Sequence, residues 1–88
     1  MRITERDLNI LVNKLNSLVG INEDVKYNTV GAFEISHAYG GVSLHRILCK
    51  HGSVEDVFRC GHIPKKDLYY RINAFLNGIE FKKDANND

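Results

Sequence analysis

Apolar residues fall into two stripes of helical period with an alternating stretch between them. Leu8, Leu11, Val12, Leu15, Leu18 and Val19 recur three and four positions apart, the spacing that turns one face of an α-helix toward a core. Thr4 precedes them with Asp7 three residues later, a capping box in which Asp replaces the usual Glu or Gln. Gly20 follows where a helix takes up a left-handed residue, and Ile21 is placed to fold back on the last turn. The pattern predicts a helix over about Glu5 to Val19 and a polar connection from Asn22 to Lys26.

From Thr29 the period changes. In GAFEISHA, Phe33 and Ile35 alternate with Glu34 and Ser36, the mark of a half-buried strand. AYGG, residues 38 to 41, ends it with two glycines that accept turn geometry. In VSLHRILCK the signal is double: Val42 and Leu44 alternate as in a strand, whereas Leu44, Ile47 and Leu48 suit a short helix capped by Ser43. The strand is preferred, because His51-Gly52-Ser53 reads as a turn into a further β-prone run, VEDVFRC. Pro64 then suits the first position of a helix, with Leu68, Ile72, Phe75, Leu76 and Ile79 as its apolar stripe. Gly78 is placed as its C-terminal cap, Phe81 is still able to pack, and the KKDANND that follows reads as a disordered tail. The expectation is one α+β domain over 1–81, ordered helix, two or three antiparallel strands, helix (αβββα), with a tail at 82–88.

A chain of 88 residues with 43% hydrophobic content supports one core. A domain of this size is marginal alone, so homo-oligomerisation is expected. No stretch approaches the roughly 20 apolar residues of a membrane span, and MRITERDL is charged where a signal peptide would be apolar, so a cytoplasmic protein with no membrane partner is expected. Two cysteines make no disulfide framework and read as thiols. Net charge is +1, yet Ser36 to Ile72 holds six basic against three acidic side chains and all four histidines.

That middle region also contains the candidate chemistry. CKHGSVEDVFRCGH repeats Cys-x-His, as Cys49 with His51 and Cys60 with His62. A hairpin centred near Glu55 and Asp56 would gather these four zinc-type ligands, but the turn read at Gly52 conflicts with that centre, and the spacing lacks the short gap of common structural zinc pairs. The preferred reading has the cysteines as small apolar residues, with no cofactor. AYGG followed by Ser43, His45 and Arg46 suggests a loop able to receive phosphate, although it is neither a Walker motif nor a dinucleotide fingerprint. Tyr39, Tyr69 and Tyr70 interleave with Arg59, Lys65, Lys66 and Arg71, offering stacking faces beside cations.

The succession MRITERDLNILVNKLN, GAFEISHAYGGVSLHRI, VEDVF and GHIPKKDLYYRINAFLNGIE resembles a family of small uncharacterised accessory proteins of tailed bacteriophages. The likeness covers about residues 1 to 80 and rests on the ordered combination of an AYGG turn, a PK-x-x-LY helix and an AF-x-x-G ending. The family has a glycine-rich turn where this chain has LysHisGlySer, and it lacks the Cys-x-His pairs. The resemblance implies an accessory protein acting in the cytoplasm of an infected bacterial host, and it supplies no catalytic residues.

Taken with the missing catalytic constellation, this leads to a non-catalytic binding protein that works by occupancy on a host protein or on a phosphorylated small-molecule messenger. Tyr39 and Tyr69 or Tyr70 would stack a base, Arg46, Arg59 and Lys65 would meet phosphate, and Gly40, Gly41 and His45 would complete the site. Nucleic acid is the alternative partner, with salt-dependent affinity as its signature. An enzyme is the third reading, drawing an acid or base from His37, His45, His51 or His62.

Overall fold

A computed structural model describes residues 2–22, 24–26 and 28–85, the last five of these by backbone alone. The elements are α1 (Glu5–Leu18), β1 (Phe33–Ala38), β2 (Gly41–Ile47), β3 (Val54–Asp56) and α2 (Lys65–Ala85). The strands form one antiparallel sheet in the order β1-β2-β3. This is the expected αβββα arrangement in a small α+β domain.

Both ends of α1 are closed by the residues the pattern marks. The Thr4 hydroxyl accepts from the Asp7 N–H while the Asp7 carboxylate accepts from the Thr4 N–H. At the other end Gly20 takes φ +85, its N–H donates to the Ser17 carbonyl, and the Ile21 N–H reaches back to the Asn16 carbonyl. That pair of bonds is a Schellman motif, which satisfies two carbonyls otherwise left open at the helix end.

The register of β1 on β2 pairs Phe33 with Arg46, Ile35 with Leu44 and His37 with Val42. Residues opposite one another share a face, so the Phe33, Ile35, Val42 and Leu44 side chains point together toward the helices. There they join Leu8, Val12 and Leu15 of α1 and Leu68, Ile72 and Leu76 of α2 in one core. The opposite face carries Glu34, Ser36, Ser43 and His45, with Asp56 beside His45 on β3.

Asn16 closes one edge of the sheet. It is buried in α1, its amide nitrogen donates to the Phe33 carbonyl at 3.1 Å, and its amide oxygen accepts the Phe33 N–H at 2.7 Å. The side chain thus takes the place of a neighbouring strand for one residue of β1.

Three expectations are corrected. The third strand stops at Asp56 instead of running through VEDVFRC. The Asp56 carboxylate accepts the N–H groups of Arg59 (3.1 Å) and Gly61 (2.8 Å), and both residues adopt positive φ, so the chain loops before pairing again at Ile63 opposite Val42. Pro64 precedes the helix by one position, its carbonyl accepting the Leu68 N–H. Gly78 does not cap α2, which continues to Ala85. Ile79 packs against the core and Glu80 pairs with Lys14 of α1 at 3.1 Å, contacts that keep the chain helical past the glycine. The part of the expected tail at 86–88 lies outside the described residues.

Candidate functional site: the hairpin tip and the start of the second helix

Ala38 pairs directly with Gly41, leaving Tyr39 and Gly40 as a two-residue loop with φ +54 and +73. Positive φ at both central positions defines a type I′ turn, whose twist matches that of the strands and which ordinarily carries Asn-Gly. Tyrosine in the left-handed region costs on the order of 1 kcal/mol. Here it is also 99% exposed, so its ring gains no burial to offset that cost. Strain held at an exposed aromatic residue is the sort of feature that marks a contact surface.

The tip is built around by residues distant in sequence. His62, delivered by the loop that Asp56 organises, lies over the outer face of the sheet. Its Nε2 is 3.0 Å from the Ser36 hydroxyl, and its ring meets those of Tyr39 and His45 edge to face, each at a centroid distance of 6.0 Å. Ser43 lies on the same face of the sheet between these groups and is fully buried, near enough to Asp56 to favour the carboxylate's charge. Burial opposes the ionisation of Asp56, but the Gly61 N–H, the Ser43 hydroxyl and the Arg59 N–H outweigh it and hold the carboxyl below its ordinary pKa.

On the other side of the tip, Gly40, Gly41, Lys65, His37 and Glu5 border a cavity of about 370 Å³. His37 on β1 and Glu5 at the start of α1 hydrogen-bond one another. Lys65 opens α2, and the preceding Pro64 has no side-chain acceptor to cap the first N–H groups of that helix. Gly41 is required by close packing: a Cβ there would stand 3.0 Å from the His62 carbonyl carbon and 3.1 Å from the Ile63 nitrogen and oxygen.

Of the residues singled out in the sequence, Tyr39, Gly40, Gly41 and Lys65 therefore converge at this end of the sheet, while His45, paired with Glu34 further along, reaches it only through the His62 ring on the outer face. Arg46 does not join them. Adjacent residues of a strand point to opposite faces, so Arg46 turns away from His45, donates to the Gly31 carbonyl at 3.2 Å and places its guanidinium 5.1 Å from the centre of the Phe33 ring. Tyr69 packs against the core and meets the half-exposed Tyr70 edge to face at 5.8 Å, and Arg59 stands exposed in the loop after β3. The sequence offers His37 only as one of four candidate acids or bases and gives no sign of Ser36 or Glu5, since the partners in these contacts lie 26 and 32 residues apart.

The two Cys-x-His pairs sit toward opposite ends of β2. Cys49 and His51 belong to the turn after it, closed by the Gly52 N–H on the Cys49 carbonyl, while His62 stands over its start, two residues after Cys60. Among the described residues no three His, Cys, Asp or Glu side chains gather as metal ligands. The Ser53 hydroxyl, then the Ser53 and His51 N–H groups, hold the Cys49 thiol below its ordinary pKa.

Chemically, the tip offers an exposed ring, one ammonium group, open helix N–H groups and a hydroxyl–imidazole contact. Among the described residues no carboxylate hydrogen-bonds to His62, so the orienting member of a hydrolytic triad is not part of this cluster. No family model matches the chain, and no curated protein or solved structure matches it significantly.

Proposed function

We propose that this chain is a non-catalytic binding protein of the phage accessory kind its sequence resembles, acting by occupancy in the host cytoplasm. Its ligand is a phosphorylated small molecule of the messenger type, received at the hairpin tip. The observation that carries the reading is the convergence of Gly40, Gly41, Lys65 and His37 on one cavity beside the open start of α2. Backbone N–H groups at a helix start combined with an ammonium group favour a phosphate; Tyr39, one residue before Gly40, is exposed as a stacking face for a base, its ring leaning toward His62 across the tip. Of the expected phosphate contacts Lys65 stays and Arg46 leaves, and the cavity also holds Glu5, whose carboxylate is bound by His37.

Titration calorimetry with a panel of linear and cyclic nucleotides tests this. Binding by one member that falls at least about tenfold in Lys65→Ala and Tyr39→Ala, with unchanged thermal unfolding, is expected. Binding that is indifferent to both substitutions would overturn the assignment. The Ser36–His62 contact favours a second reading, in which His62 draws a proton from the Ser36 hydroxyl. Labelling of Ser36 by a fluorophosphonate, lost in His62→Ala, would support that reading over the first.

A further inference from the structure

We propose that the open edge of β1, with the groove beside it, docks an extended basic peptide segment of another protein as a fourth strand of the sheet. Phe33 directs its N–H and C=O away from β2, because both are taken by Asn16. In an antiparallel ladder, residues two apart direct their main-chain groups to the same side. Ile35 and His37 therefore aim theirs outward as well, and among the described residues neither main chain makes another hydrogen bond on that side. An edge with unspent donors and acceptors is the template that strand addition uses.

A concave surface adjoins this edge. A groove of about 430 Å³ runs between α1 and β1, bordered by Phe33, Glu34 and Ile35 on the strand and walled at one end by the connection after α1. Asn9, Asn13 and Asn16 line it from the helix at spacings of four and three residues, so they lie in one row along its length. Asn16 already pairs with a strand's main chain, and Asn9 and Asn13 bring the same amide chemistry to an incoming peptide. Among the described residues, the charged side chains that border the groove are Asp24 and Glu34, both acidic. That favours a segment with basic side chains. It also disfavours a second copy of this chain, whose β1 would bring its own Glu34 against them.

The hairpin-tip cavity and this groove share no lining residue; the edge and the cavity meet only at His37, whose main chain belongs to the edge and whose side chain borders the cavity. The test uses the full chain, isotopically labelled, with two synthetic peptides: alternating Lys-Val and the matching Glu-Val sequence. The Lys-Val peptide should bind and slow exchange of the Ile35 and His37 amide protons about tenfold, while the Glu-Val peptide leaves them unchanged.

Ile35→Pro removes the outward N–H without removing a ladder bond, as proline allows at an edge, and should abolish the effect. Asn13→Lys, at an exposed helix position, adds a like charge to the groove and should weaken binding about tenfold even if the proline variant does not fold. Lys65→Ala should leave it unchanged. Equal binding of both peptides, protection confined to other amides, or protection of Ile35 in the free protein that rises with its concentration would overturn the proposal, the last by placing a second copy on the edge.

Discussion

Replacing Asn16 by Ala tests how the sheet edge is held. The side chain is 4% exposed and satisfies two main-chain groups of Phe33 at once. Truncation leaves a donor and an acceptor without their partner, at about 1–3 kcal/mol each when water does not replace it. The groove beside Phe33 admits some water, so a total of about 2–4 kcal/mol is expected. For a chain of this size, total stability is on the order of 4–13 kcal/mol, so the loss is a large fraction of it. Urea unfolding followed by circular dichroism should show the midpoint falling with the slope unchanged.

Asn16→Asp sharpens the test. Its carboxylate can still accept the Phe33 N–H but presents a charge to the Phe33 carbonyl in a buried position, so its folded pKa is raised above the unfolded value. A group with a raised folded pKa contributes stability that is present below its unfolded pKa and lost as pH rises through the folded pKa. Asn16→Asp should therefore approach the parent at acid pH and fall away toward neutrality. An Ala variant within about 0.5 kcal/mol of the parent, or an Asp variant whose deficit does not depend on pH, would refute the account of this edge.

Three further substitutions probe the hairpin tip and the loop over the sheet. Tyr39→Asn should stabilise the protein by about 0.5–1 kcal/mol in thermal unfolding, because Asn tolerates the left-handed turn, while weakening nucleotide binding; a destabilised variant would show that the ring is structural. Gly41→Ala should cost about 1–3 kcal/mol and shift the amide resonances of His62 and Ile63, whose main chain the new methyl would crowd. Asp56→Ala should cost roughly 2–4 kcal/mol and release the loop that carries His62, read as faster exchange of the Arg59 and Gly61 amides. Because the folded pKa of Asp56 is lowered, its contribution is present above the ordinary carboxylate value of 3.8 and is lost as pH falls below it. The parent's stability should drop below that pH more steeply than the variant's.

Much of the fold is legible in the sequence because local chemistry and tertiary packing agree there. The Thr4 and Gly20 caps, the alternation about Phe33 and the stripe of α2 each specify an element without help from distant residues. The short third strand is not legible, because its end depends on a carboxylate folding back on Arg59 and Gly61, and Val and Phe in VEDVFRC carry the same strand preference in either setting. Gly78 misleads for a related reason: a glycine caps a helix only where the chain can leave it, and Ile79 and Glu80 hold the chain in place.

The candidate site is half visible. AYGG announces a turn, and Lys65 stands out at the start of a helix. That they share a cavity follows only from the close approach of residues 62 and 63 to Gly41. Arg46 does not meet Lys65 because the register sets it opposite Phe33, at the far end of the hairpin from Ala38 and Gly41.

The most direct measurement is native mass spectrometry of the protein recovered from phage-infected bacteria, set against its denatured mass. A species that loses a few hundred daltons per site on denaturation, and whose Lys65→Ala variant carries none, is what the account predicts. The bare chain mass in both states would contradict it.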